Sequence, residues 1–200
     1  MIPAMHRFVP LTRLAMKRRE RADARSLRER CEAILLDLPI PAPFDENAFC
    51  AALAARHGRP VVLQQLPLRA TTSRSVIYGL VISTSQCDII IYERDTSRLH
   101  QRQIIVHEAC HLILDHRSPC AAPGHEVREP YRSAEGAKEA LLVLAGTGYT
   151  VAEEHEAEVL ASLILEHVAI SAPSGGSDPD VEATATLVRL ASFYRLKGSV

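Results

Sequence analysis

The sequence has no CxxC pair, and its five cysteines (Cys31, Cys50, Cys87, Cys110 and Cys120) are odd in number and widely spaced. That pattern argues against both a thiolate zinc site and a disulfide framework, so reduced thiols in a cytoplasmic setting are expected. The opening MIPAMHRFVPLTRLAMKRRER lacks a continuous apolar segment with a small-residue cleavage site. Nowhere does an uncharged apolar run approach the length needed to span a bilayer, so no membrane association is expected. Charge of neither sign dominates: the formal net charge is -1, which fits neither a basic nucleic-acid binder nor an acidic solvating chain. No internal repeat or heptad array is present.

The near-neutral balance hides an asymmetry. Residues 1–30 hold nine Lys/Arg against three Asp/Glu, and the remainder holds 14 against 21. Within that first segment, KRRERADARSLRER intersperses its arginines with acidic residues, as a solvated helix face does. Without a helix-turn-helix signature or interleaved aromatics, direct nucleic-acid binding is not expected.

What the chain does have is a 47% hydrophobic content over 200 residues, enough for one core and a single domain over 1–200, with 1–15 as a flexible basic tail. Helical spacing of Leu14, Leu27, Cys31, Ile34 and Leu35 predicts a helix over 11–38, ended by PIPAP. Asp45 is placed to cap a second helix over 46–56 that stops at Gly58 and Pro60. VVLQQL (61–66), SVIYGLVIS (75–83) and DIIIYE (88–93) read as strands of a small, partly antiparallel sheet. DTS at 95–97 offers caps for a helix reaching His116. After a Pro/Gly/Ser-bearing segment, helices are expected at 139–145, 152–170 and 178–197. The fold class is α+β.

Inside the third helix lies IIVHEACHLILDH, residues 104–116. His107 and His111 are four apart, so their rings share one helix face and can offer nitrogens to one ion. Glu108 sits beside the first ligand, placed to reach a water without being a ligand itself. Chance gives an HExxH in roughly one chain in thirty of this composition, so a third ligand must support it. A catalytic zinc site needs three protein ligands and an open position. In EEHEAEVLASLIL (153–165), stepping back one turn from Leu160 puts Glu156 on the apolar face beside Ala157. A carboxylate facing inward needs a partner such as a divalent cation. Glu156 is the expected third ligand, with Glu153 in reserve, while Glu154 and Glu158 are expected to face solvent.

HEACHLILDH followed later by EHEAEVLASLIL resembles the ImmA/IrrE family of zinc metallopeptidase-like proteins, whose pattern is HExxH on one helix and E-x-E-A-x-x-x-A on a later one. The resemblance extends to the order of elements from about residue 27 to 168. It implies a zincin-like fold, Zn2+ held by His107, His111 and Glu156, and a catalytic Glu at Glu108. It also implies a helix-turn-helix repressor as substrate or partner. The chain departs from the family where Asn, an aromatic and Met-Pro are common, having Glu158, Leu160 and Leu165-Glu166, and it has Cys110 where Gly or Ala is usual. No ligand position is lost.

The expected activity is therefore a zinc-dependent endopeptidase acting on a regulatory protein, with a peptide held by edge pairing to strand 75–83 or 88–93. The alternative is a metal-binding interaction module that keeps the scaffold without cutting its partner. Tyr149, His155 and His167 are candidates to stabilise an oxyanion, and the sequence does not choose among them. Asp115 reads as a helix-end residue or an acceptor orienting an imidazole. His116, Cys120 and His125 read as surface residues rather than a second metal site.

Overall fold

The computed structural model describes residues 11–67, 78–116 and 149–171. The helices expected at 139–145 and 178–197, the segment 117–137 and most of the expected tail lie outside them. The order is α1 (Leu11–Leu36), α2 (Glu46–His57), β1 (Val61–Leu66), β2 (Gly79–Ser83), β3 (Asp88–Glu93), α3 (Arg98–Ile113) and α4 (Val151–Ser171). This is a mixed α+β arrangement, with α1 starting inside the stretch read as tail. No helix among the described residues is long and apolar enough to cross a membrane.

Local chemistry sets the element ends. Asp45 Oδ1 accepts from the Ala48 amide at 2.8 Å, satisfying one of the free donors at the start of α2. Gly58, at φ 68°, ends α2 in the left-handed conformation that glycine adopts without Cβ strain. Ser97 caps α3 through the His100 amide. Thr150 and Glu153 exchange side-chain bonds with each other's amides at 3.2 and 2.8 Å, a capping box that starts α4.

The sheet has the order β1-β3-β2, with β1 parallel and β2 antiparallel to β3. DIIIYE takes the centre, where burial on both faces suits a continuous apolar run, and Ile90 and Ile91 are fully buried. Of the two segments read as possible peptide-pairing edges, 88–93 is thus ruled out, because β3 has a strand on each side. β2 keeps one edge without a strand neighbour among the described residues.

α3 packs against the sheet and α4, and α4 also packs against α1. The shared core includes Leu27 and Cys31 of α1, Phe49 and Leu53 of α2, Val81 and Ile90 of the sheet, and Val106 and Ala109 of α3. From α4 it takes Ala157, Leu160 and Ile164. Full burial of one such large side chain is worth about 1.5–3 kcal/mol, an upper figure because unfolded chains already bury some surface. Small residues are buried on both packed helices, Ala109 and Cys110 on α3 and Ala157 and Ala161 on α4. The Arg102 guanidinium, largely buried, meets Glu46 at 2.7 Å and lies over the Phe44 ring, which ties α2 to α3. Cys31, Cys50, Cys87 and Cys110 are free thiols, and burial pushes Cys50 up to about 12, so it is no nucleophile at neutral pH.

Candidate metal centre

α3 is fixed by Val106, Ala109 and Cys110, none of which is exposed. That anchoring leaves His107 and His111 one turn apart on a shared face, with their Nε2 atoms 3.3 Å apart. His111 is 1% exposed. Burial first, then the neighbouring His107 and His116, hold its pKa down to about 3, so the ring stays neutral with a lone pair to offer. A ligand imidazole must be in that state. From α4, Glu154 brings Oε2 to 3.3 Å from His107 Nε2 and 3.9 Å from His111 Nε2. The donor atoms of His107, His111 and Glu154 all lie within 4.8 Å of one another, a group that could hold a metal ion.

The carboxylate brought to the two histidines is thus Glu154, not the expected Glu156. Glu156 turns the other way: its Oε1 accepts from Arg30 of α1 at 2.8 Å and its Oε2 faces His116 Nε2 at 3.4 Å. The cause is geometric. α4 packs on both α1 and α3, so its apolar pattern alone does not fix which of its faces meets the two histidines. Glu154 is half-exposed, at 49% of its side chain, as a solvent-facing residue would be, but it is exposed beside the histidines. Glu158 reaches the same ring from the next turn, Oε2 at 3.8 Å from His107 Nδ1. The reserve ligand Glu153 is engaged in the cap with Thr150, whose hydrogen bonds hold its carboxyl below the usual range.

Glu108 is buried on the sheet side of α3. A Cβ on Gly79, the first residue of β2, would stand 2.6 Å from Glu108 Oε1 and would also meet Ile104, so only glycine there leaves room for this carboxylate. Burial, and secondly the charge on Glu154, push Glu108 up to about 8. A divalent cation between the helices would act in the opposite sense and favour the ionised form.

Two further groups complete the centre. Tyr149 stacks flat on His111, ring centroids 3.6 Å apart at 7°, while His155 and His167, the other residues considered for an oxyanion role, are exposed. His116, expected at the surface, has a side chain only 6% exposed, with Nδ1 3.0 Å from His111 Nδ1. Asp115 is the helix-end residue. Its φ of 54° turns the chain so that the His116 amide donates to the His111 carbonyl at 2.9 Å. Left-handed Asp is tolerated better than most residues, so Asp-His just past the last apolar position was the available signal. Cys120 and His125 lie outside the described residues.

No protein-family model matches this chain. Nor does any curated protein or solved structure.

Proposed function

We propose that the chain is a zinc-dependent endopeptidase of the zincin-like, ImmA/IrrE type, acting on a regulatory protein, in particular a helix-turn-helix transcriptional repressor. One observation carries the proposal: two imidazole nitrogens and one carboxylate oxygen converge, 3.3, 3.3 and 3.9 Å apart, with a buried glutamate next in sequence to the first of them. Donors around a tetrahedral zinc with bonds of about 2.0–2.1 Å stand about 3.3–3.4 Å apart, so the set fits that ion. A set of two imidazoles and one carboxylate suits zinc and leaves a fourth position open.

Zinc, when bound, supplies a Lewis acid that acidifies water and polarises a peptide carbonyl. Glu108 takes the proton of the attacking water and returns it to the leaving amine. His111 and His107 would hold the ion, and the Tyr149 ring holds the His111 plane. An extended peptide adding to the edge of β2 that has no strand neighbour among the described residues would run past Gly79, which lies against Glu108, so the pairing would set a scissile bond beside the general base. The repressor as substrate rests on the family resemblance of HEACH and EHEAEVLAS alone.

The test compares wild type with Glu108→Gln, purified in parallel and matched for zinc content, against the repressor encoded in the neighbourhood, with cleavage followed on a gel. The variant is expected to keep its zinc and its fold and to lose hydrolysis by about two to four orders of magnitude. Equal cleavage by both contradicts the role of Glu108. No cleavage by wild type, with the partner bound by both, assigns the chain to the non-catalytic interaction module.

A further inference from the structure

The residues behind His111 form a connected line that no sequence motif announces. Glu156 Oε2 faces His116 Nε2 at 3.4 Å, and His116 Nδ1 faces His111 Nδ1 at 3.0 Å. His111 Nε2 then faces the centre, 3.3 Å from His107 Nε2. Arg30 holds the far oxygen of Glu156 at 2.8 Å. We propose that His116 is a positioning residue that fixes the tautomer of His111, with Glu156 setting the tautomer of His116 in turn. This rests on His107, His111 and Glu154 being the metal ligands.

The proton count leaves one consistent arrangement for neutral rings. An ionised carboxylate only accepts, so the nitrogen of His116 that faces Glu156 must carry the proton. A neutral imidazole has one N–H, so His116 Nδ1 is then a lone pair. The 3.0 Å contact needs a proton, and it has to come from His111 Nδ1. His111 Nε2 is left bare and aimed at the shared centre, as a ligand nitrogen must be. In the reverse arrangement His111 would carry its proton on Nε2, where a cation should bind.

The backbone is shaped for this contact. α3 stops at Ile113, and the left-handed Asp115 returns His116 beneath the helix instead of letting the chain run on. The His116 ring lies 5.1 Å from His111 and 6.1 Å from Tyr149, between the helix it has just left and α4. Glu156 is bound on one side by Arg30, a pair too exposed to add much stability, so its function here is to aim the carboxylate. This also accounts for a half-buried carboxylate on α4 that is not brought to the ligand group.

The full-length chain, labelled with 15N at histidine and stripped of metal by a chelator, reports the tautomer directly by two-bond 15N–1H correlation. His111 is expected to carry its proton on Nδ1 in the metal-free wild type. His116→Ala should release that preference and weaken zinc binding, measured by competition with a chromophoric chelator, by about 10–100-fold. His116→Asn keeps an acceptor oxygen near the place of Nδ1 and should restore the tautomer and bring affinity to within about threefold of wild type. If His116→Ala does not fold, Glu156→Ala, at a carboxylate one-third exposed, should shift affinity by about tenfold in the same direction. Protonation of His111 on Nε2 in the metal-free wild type overturns the proposal, and so does an unchanged tautomer and affinity in the variants. A wild type with the expected tautomer but no zinc binding would instead remove the metal reading and leave the positioning intact.

Discussion

The end of α3 and the start of α4 bring ionisable side chains to one centre, yet they are held in opposite ways. On α3, His111 and Glu108 are buried, and the residues between and beside them, Val106, Ala109 and Cys110, are sealed in the core. On α4, Glu153, Glu154 and Glu156 sit in the first two turns, partly exposed, and are held by a cap, by histidines and by Arg30. Packing fixes the first set, and polar contacts fix the second. Change on α3 should therefore alter the identity of the centre, whereas change on α4 should grade its strength.

The sharpest way to break this comparison is to exchange the two α4 carboxylates as suspects. Glu154→Ala removes a ligand. If the 10–16 kcal/mol typical of a zinc site is shared equally among the three protein ligands, the loss is about 300- to 8,000-fold in affinity. Glu156→Ala acts only through His116 and should cost about tenfold. Chelator competition on the two variants side by side measures both. The opposite order would return the third ligand to Glu156.

The choice between Glu154 and Glu156 shows what was legible in the sequence. Strands 61–66 and 88–93, the cap at Asp45 and the stop at Gly58 follow from local chemistry and stand as read. HExxH needs only helical periodicity to bring His107 and His111 together, because one helix carries both. The third donor depends on how α4 is rotated about its axis, where one residue is 100°, and for a helix packed on both α1 and α3 the apolar pattern does not say which face meets α3. His116 was missed because periodicity says nothing about a chain that doubles back at a left-handed Asp115. Of the strand read at 75–83, Gly79–Ser83 forms β2, Tyr78 precedes it, and residues 75–77 lie outside the described ones.

A smaller effect should separate the two sides of α3. Gly79→Ala drives a Cβ against Glu108 Oε1 and Ile104. Overpacking of this kind costs about 1–3 kcal/mol, which for a chain of this size lowers Tm by roughly 2–4 °C per kcal/mol. Calorimetry should show that fall while zinc affinity stays within about threefold, because the sheet side touches Glu108 and not the ligand nitrogens. A large loss of affinity with unchanged Tm would mean that the sheet side also shapes the ligand group.

Smallest of all is the turn that delivers His116. Asp115→Gly relieves the cost of a left-handed residue and should leave stability equal or slightly higher, whereas Asp115→Val should lose about 1–2 kcal/mol. Urea denaturation of the pair reads the difference. Equal midpoints would show that the turn is not held in the left-handed form in solution.

The central claim, that these helices form a metal centre, is tested most directly by elemental analysis of the full-length protein after zinc supplementation and removal of loosely bound ions. One equivalent of zinc per chain in the wild type, and none retained by His107→Ala or His111→Ala proteins that keep their helical circular dichroism, is the expected result. A folded wild type that holds no zinc, or a His111→Ala protein that holds as much as wild type, would contradict it.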